Sequence, residues 1–105
     1  MEDISPLDLN LRIQNGEEIQ IIDIREEHEI AVCTINGLHI PMAEILERRN
    51  EIRLDIPVVI HCRSGQRSAA VIHTLNTKFQ FSNLLNLQGG IVGWAQSVDS
   101  SLEIY

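Results

Sequence analysis

Cys62 stands at the junction of two differently patterned stretches. Before it runs the short apolar segment Val58-Val59-Ile60-His61, and from Ser68 onward apolar side chains recur at helical spacing. Between them lies the loop Arg63-Ser64-Gly65-Gln66-Arg67. A cysteine between a strand end and a helix start is placed for nucleophilic chemistry. The loop amides can turn inward around the sulfur, and the helix dipole adds positive potential there. An ordinary thiol, with a pKa of about 8.5, is only a few per cent ionised at neutral pH. Arg63 and Arg67 add full positive charges if they point toward the loop, and Gly65 supplies the tolerance of positive φ that an amide-lined turn needs. The pattern predicts a cup of N–H donors able to hold a thiolate, a persulfide or a small oxyanion. The bland alternative is that Cys62 is a small apolar residue closing a strand. The glycine, the two arginines and the following helix weigh against it.

The elements that must position this loop follow from periodicity. Ser5 caps a helix with Pro6 in its first turn and Asp8 at the capping-box position, Ile4 and Leu9 can form a hydrophobic staple, and Gly16 suits the residue beyond the helix end. Ile19 to Ile24 is a β-branched run that reads as a buried strand. The charged patch Arg25 to Glu29 leads through a short helical turn to Cys33. Leu38-His39-Ile40 is a further short strand. Pro41 opens a predicted helix with Met42, Ile45 and Leu46 on one face. Val58 to His61 is the clearest strand, Ser68 to Phe79 a helix, and Leu84 to Leu87 a strand after a hairpin-like break at Ser82-Asn83. Gly89-Gly90 ends that strand, and Ile91 to Val98, with Trp94, forms a last helix. Strands alternating with helices predict an α/β fold with a mostly parallel sheet and helices on both faces. Ligands in such folds sit at the carboxyl ends of the strands. Cys62 lies at one such end and Asp23 near another.

The 105 residues suit one domain spanning 1–105. A hydrophobic content of 44% with only 4% aromatic residues implies an aliphatic core. No apolar run approaches the roughly 20 residues that span a bilayer, and the start Met1-Glu2-Asp3 is acidic where a signal peptide would be basic. Two cysteines are too few for a disulfide framework, so a reduced, cytoplasmic protein is expected. A net charge of -7 disfavours nucleic acid and anionic membranes as partners. His28, His39, His61 and His73 lack chelating spacing, so no metal site is expected. Cys33 can be read as a resolving thiol for Cys62, but Ile30-Ala31-Val32 and Ile35 around it favour simple burial. Asp23 and Arg25 read at their plainest as a solvated charge pair where a strand meets a loop.

Cys62-Arg63-Ser64-Gly65-Gln66-Arg67-Ser68 resembles the active-site loop of rhodanese-like sulfurtransferases. Ile21-Ile22-Asp23-Ile24-Arg25-Glu26 is similar to that family's hydrophobic strand followed by Asp-x-Arg-Glu, and Gly89-Gly90-Ile91 with Trp94 to its Gly-Gly-x-x-x-Trp close. Glu29 to Cys33, Leu38 to Met42 and Val98 to Tyr105 resemble, more narrowly, the carboxy-terminal rhodanese domain of adenylating enzymes that serve ubiquitin-like sulfur carriers. The resemblance implies a rhodanese-like fold with about five short strands. It implies a cytoplasmic sulfurtransferase with Cys62 as persulfide carrier, and no metal or organic cofactor. Residues 63–68 would bind the substrate. Asp23 or Glu26 would hold an arginine of the loop, with Arg25 beside them. Trp94, behind the double glycine, reads as a core anchor packing under the loop, with substrate contact as the alternative. Implied partners are a small-molecule or protein sulfur donor, a cysteine desulfurase among them, and a ubiquitin-like carrier as acceptor. Thr34-Ile35-Asn36-Gly37 departs from the family's His-Ile-Pro-Gly, which predicts a looser turn. A noncatalytic interaction module with the same fold is the rival reading. Related cysteine phosphatases and arsenate reductases place five residues between cysteine and arginine; only four separate Cys62 from Arg67. A tetrahedral phosphate needs a wider ring of amides than one sulfur atom, so this loop favours sulfur.

Overall fold

The first helix starts where its capping residues dictate. Ser5 accepts a hydrogen bond from the Asp8 amide at 3.1 Å, Pro6 occupies the first turn, and α1 runs over Pro6–Gln14. The computed structural model describes residues 2–104. The remaining elements are β1 (Glu2–Ile4), β2 (Gln20–Asp23), α2 (Glu27–Val32), β3 (Leu38–His39), β4 (Val58–His61), α3 (Gln66–Phe79), β5 (Leu84–Leu87) and α4 (Gly90–Ser97). The strands form one sheet in the order β1-β5-β4-β2-β3, and every neighbouring pair is parallel. The parallel pairing of β4 with β5 makes Ser82-Asn83 part of a crossover rather than a hairpin. Asn83 instead seals that connection, donating to the carbonyls of Arg53 and Ile56 at 2.8 and 2.7 Å.

Alternation along the central strands divides the core between the two faces of the sheet. Ile22, Val58, Ile60 and Leu84 pack with Val71, Ile72 and Leu75 of α3. Val59 and Leu87 face the other way, with Ile4, Leu9 of α1 and Trp94 of α4. Ile4 and Leu9 thus meet as the staple pattern predicts. Each fully buried aliphatic side chain contributes about 1.5–3 kcal/mol, so both layers of helices are held mainly by this aliphatic packing.

Three departures from the sequence reading have local causes. β1 is a strand of three residues at the sheet edge, too short to show a period. Pro41 opens no α-helix: Met42–Glu44 and Arg49–Glu51 are 3₁₀ turns. Of the stripe Met42, Ile45 and Leu46, only Ile45 is buried, and one anchored side chain does not offset the cost of nucleating a helix. The turn at Thr34-Asn36 is closed without the family's proline. Thr34 Oγ1 accepts from the Asn36 amide at 3.0 Å, and Asn36 takes the left-handed conformation that asparagine tolerates.

Candidate active site

Parallel pairing brings the carboxyl ends of β2, β4 and β5 to one edge. Asp23 aligns with His61, and Ile60 with Asn86. Cys62 follows β4 directly and is 1% exposed, packed among the residues on the α3 face. The loop after it folds back over the sulfur. The Gly65 amide donates to Cys62 Sγ at 3.1 Å and the Ser68 amide at 3.5 Å, while Ser68 Oγ lies 3.4 Å away. Gly65 has φ of 105°, a conformation that L side chains rarely adopt, and caps α3 from that position.

The carbonyls of Cys62 and Arg63 point the other way, because α4 takes them. The amides of Ile91 and Val92 donate to the carbonyls of Cys62 and Arg63 at 3.0 and 3.1 Å. Gly90 allows this approach: a Cβ there would sit 2.6 Å from the Cys62 oxygen and 2.5 Å from that of Arg63. Burial opposes ionisation of the thiol more than any other single influence. Hydrogen bonds from the Ser68 hydroxyl and from the Ser68, Gly65 and Ser64 amides together outweigh it, and hold the Cys62 pKa below that of an ordinary thiol. The predicted cup of donors is therefore present. Amides and a hydroxyl form it, with the arginines in a lesser role.

Arg67 is bound elsewhere. Its Nη1 and Nη2 pair with Oε1 and Oε2 of Glu29, both at 2.9 Å. Glu29 is 6% exposed and also accepts from the Glu26 amide at 3.0 Å, which closes the start of α2. The Arg67 guanidinium, reinforced by that amide, holds the Glu29 pKa down to about 2 against the opposing effect of burial. The brace on the loop arginine expected of Asp23 or Glu26 is supplied by Glu29, because one turn of α2 carries that side chain to the loop. Glu26 itself is exposed.

Asp23 holds Arg25 instead. The Arg25 Nε lies 3.1 Å from both Asp23 oxygens, Nη2 is 2.8 Å from Oδ2, and the Arg25 amide donates to Oδ1 at 3.0 Å. Both side chains are 1% exposed, so the pair is buried rather than solvated. Arg25 Nη2 also donates to the carbonyl of Cys33 at 2.8 Å, and the Cys33 sulfur lies 4.0 Å from Nη1. Cys33 is thus packed into this pair. His61 is fully buried beside it, with Nε2 3.5 Å from Asp23 Oδ2 and no hydrogen-bond partner on either ring nitrogen. Burial lowers its pKa and keeps it neutral. Trp94, 9% exposed, packs in the core with Ile4, Leu9, Val59 and Leu87, in a different cluster from Cys62.

The sequence reading passes over Asn86 as well as Glu29. Asn86 Nδ2 donates to the Gly65 carbonyl at 3.1 Å, and its Oδ1 accepts from Ser68 Oγ at 2.6 Å. One amide thereby fixes both ends of the turn that encloses the sulfur. Its signal is a lone polar residue inside the apolar run Leu84-Leu85-Asn86-Leu87.

The family model for the rhodanese-like domain matches residues 5–97. The chain belongs to the rhodanese-like family. This rhodanese-like domain is 38% identical over 97 residues to a sulfurtransferase of Allochromatium vinosum, covering 91% of this chain and 90% of that one. It is 31% identical over 105 residues to MoeZ of Mycobacterium tuberculosis, named as a probable adenylyltransferase/sulfurtransferase, covering 97% of this chain and 26% of that longer protein. Among solved structures, a rhodanese-like domain protein from Staphylococcus aureus superposes with a TM-score of 0.82 at 29% identity, covering 100% of this chain and 99% of that one. The relatives' names support a sulfurtransferase activity in the general sense for this rhodanese-like domain. No helix among its described residues is long and apolar enough to cross a membrane.

Proposed function

We propose that this domain transfers sulfane sulfur through a persulfide on Cys62. The observation that carries the reading is the convergence of the Gly65 and Ser68 amides and the Ser68 hydroxyl on Cys62 Sγ. The thiolate attacks the outer sulfur of a donor. With thiosulfate a Cys62 S–S bond forms and sulfite leaves with the electron pair. With a persulfide R–S–SH the products are Cys62–S–SH and the thiolate R–S⁻. An acceptor nucleophile such as a thiol or cyanide then attacks the terminal sulfur, and Cys62 departs as a thiolate stabilised by the same donors. Asn86 holds the loop in shape, and Glu29 holds Arg67. With Cys62 only 1% exposed, the loop residues over the sulfur have to move before a donor enters.

The likeness to an adenylyltransferase/sulfurtransferase favours a ubiquitin-like sulfur carrier as acceptor, supplied by a cysteine desulfurase as donor. The test is intact mass after incubation with thiosulfate, or with a desulfurase and cysteine. A gain of one sulfur that is absent in Cys62→Ser supports the reading. A folded protein that gains none from either donor overturns it. The burial of Cys62 favours a second reading, a noncatalytic docking module. That reading predicts an ordinary alkylation pH profile and partner binding that Cys62→Ser leaves intact.

A further inference from the structure

The loop carries an arginine whose terminal Nη1–Nη2 edge is closed to anions while Glu29 is in place. A guanidinium recognises sulfate-like or phosphate-like groups through two parallel N–H bonds. Arg67 has already given its Nη1 and Nη2 edge to Glu29, each bond 2.9 Å long. The Glu29 side chain is 8% exposed and offsets the charge of Arg67, which is close enough to Cys62 to interact with it electrostatically. Glu26 and Glu27 are exposed beside it at the start of α2, and they add negative potential. A donor arriving as a dianion meets this arrangement less favourably than a persulfide, which carries at most one negative charge on its sulfur pair.

We propose that Glu29 determines donor specificity: by occupying the Nη1–Nη2 edge of Arg67 and offsetting its charge it weakens the hold of that guanidinium on oxyanions, so that Cys62 draws sulfur from persulfides in preference to thiosulfate. This rests on sulfur transfer through Cys62 and adds the class of donor. The chemistry is the exchange written above, R–S–SH with the Cys62 thiolate giving Cys62–S–SH and R–S⁻. Glu29 touches no reacting atom and acts only through Arg67.

The test compares the native chain with Glu29→Gln, which keeps the shape but removes the charge. Two readouts are taken. The first is protection of Cys62 from iodoacetamide by sodium sulfate against sodium chloride at matched ionic strength, which needs no sulfur transfer. The second is the ratio of kcat/KM for thiosulfate to that for an alkyl hydropersulfide whose alkyl group carries no charge. Sulfate is expected to leave the native protein unprotected and to protect Glu29→Gln, with the donor ratio rising about tenfold, the lower end of what one charged hydrogen bond is worth. Adding Arg67→Met to Glu29→Gln is expected to abolish both gains, which separates Arg67 from the exposed Arg63. An unprotected Glu29→Gln, an unchanged or lower donor ratio, or gains that survive loss of Arg67 would overturn the proposal. So would sulfate protection of the native protein, a result that holds even if the variant fails to fold. Failure of the native protein to load from either donor would sink the sulfur-transfer reading, while the sulfate measurement would still decide the role of Glu29.

Discussion

Replacing Ser68 by alanine removes one donor from the sulfur and leaves the others in place. The Ser68 hydroxyl lies 3.4 Å from Cys62 Sγ, while the amides of Gly65 and Ser68 remain at 3.1 and 3.5 Å. A hydrogen bond to a charged group is worth about 1.5–3 kcal/mol, or a factor of about 10 to 100 in the thiolate-to-thiol ratio. The hydroxyl has a single hydrogen, and Asn86 Oδ1 claims it at 2.6 Å. Stabilising the thiolate therefore costs that contact, which places the effect near the lower end, about tenfold. The sign is fixed: fewer donors raise the Cys62 pKa from its lowered value, so Ser68→Ala shifts the pH profile of alkylation upward and slows it at neutral pH. The assay is the rate of iodoacetamide modification across pH, read by intact mass with Cys62→Ser as blank. A folded Ser68→Ala whose profile stays put or moves downward would show that the hydroxyl serves Asn86 alone.

Gly90→Ala places a Cβ 2.5–2.6 Å from two backbone oxygens, at a φ of 59°. It should destabilise the fold by about 2–4 kcal/mol and raise the Cys62 alkylation profile as α4 shifts, both measurable by urea titration and by alkylation. Asp23→Ala strands Arg25, which is fully buried, and should cost about 3–5 kcal/mol in urea unfolding. Asp23→Asn should cost less because it keeps acceptor oxygen. Glu29 contributes stability that is present above its ordinary 4.5 and lost as pH falls toward about 2. Allowing for the solvent around Arg67, the loss is about 2 kcal/mol. Unfolding free energies measured between those pH values should fall in the native chain and stay flatter in Glu29→Gln.

The site was legible where its cause is local. The apolar run ending at Cys62, the glycine at 65 and the helix beyond it lie in one stretch, so the inward-facing amides follow from neighbouring residues. Periodicity likewise placed β2 to β5 and both helix layers, but gave no sign of β1. Contacts made across the fold were not readable. Nothing between Glu26 and Glu29 says which carboxylate reaches residue 67, since α2 and the loop are 38 positions apart. Asn86 looked like an interruption in a strand because its partners arrive from β4's loop. The Pro41 segment failed for another reason: its spacing is helical, but the sheet offers a seat to Ile45 alone.

The grip of α4 on the Cys62 and Arg63 carbonyls fixes which way those peptide planes face. One share of the sulfur's reactivity, that of the Ser64 amide whose peptide plane carries the Arg63 carbonyl, is consequently borrowed from α4, whereas Asn86 fastens the Gly65 carbonyl and the Ser68 hydroxyl. A shift of α4 would therefore alter the nucleophile from behind, through one peptide plane, without touching the sulfur.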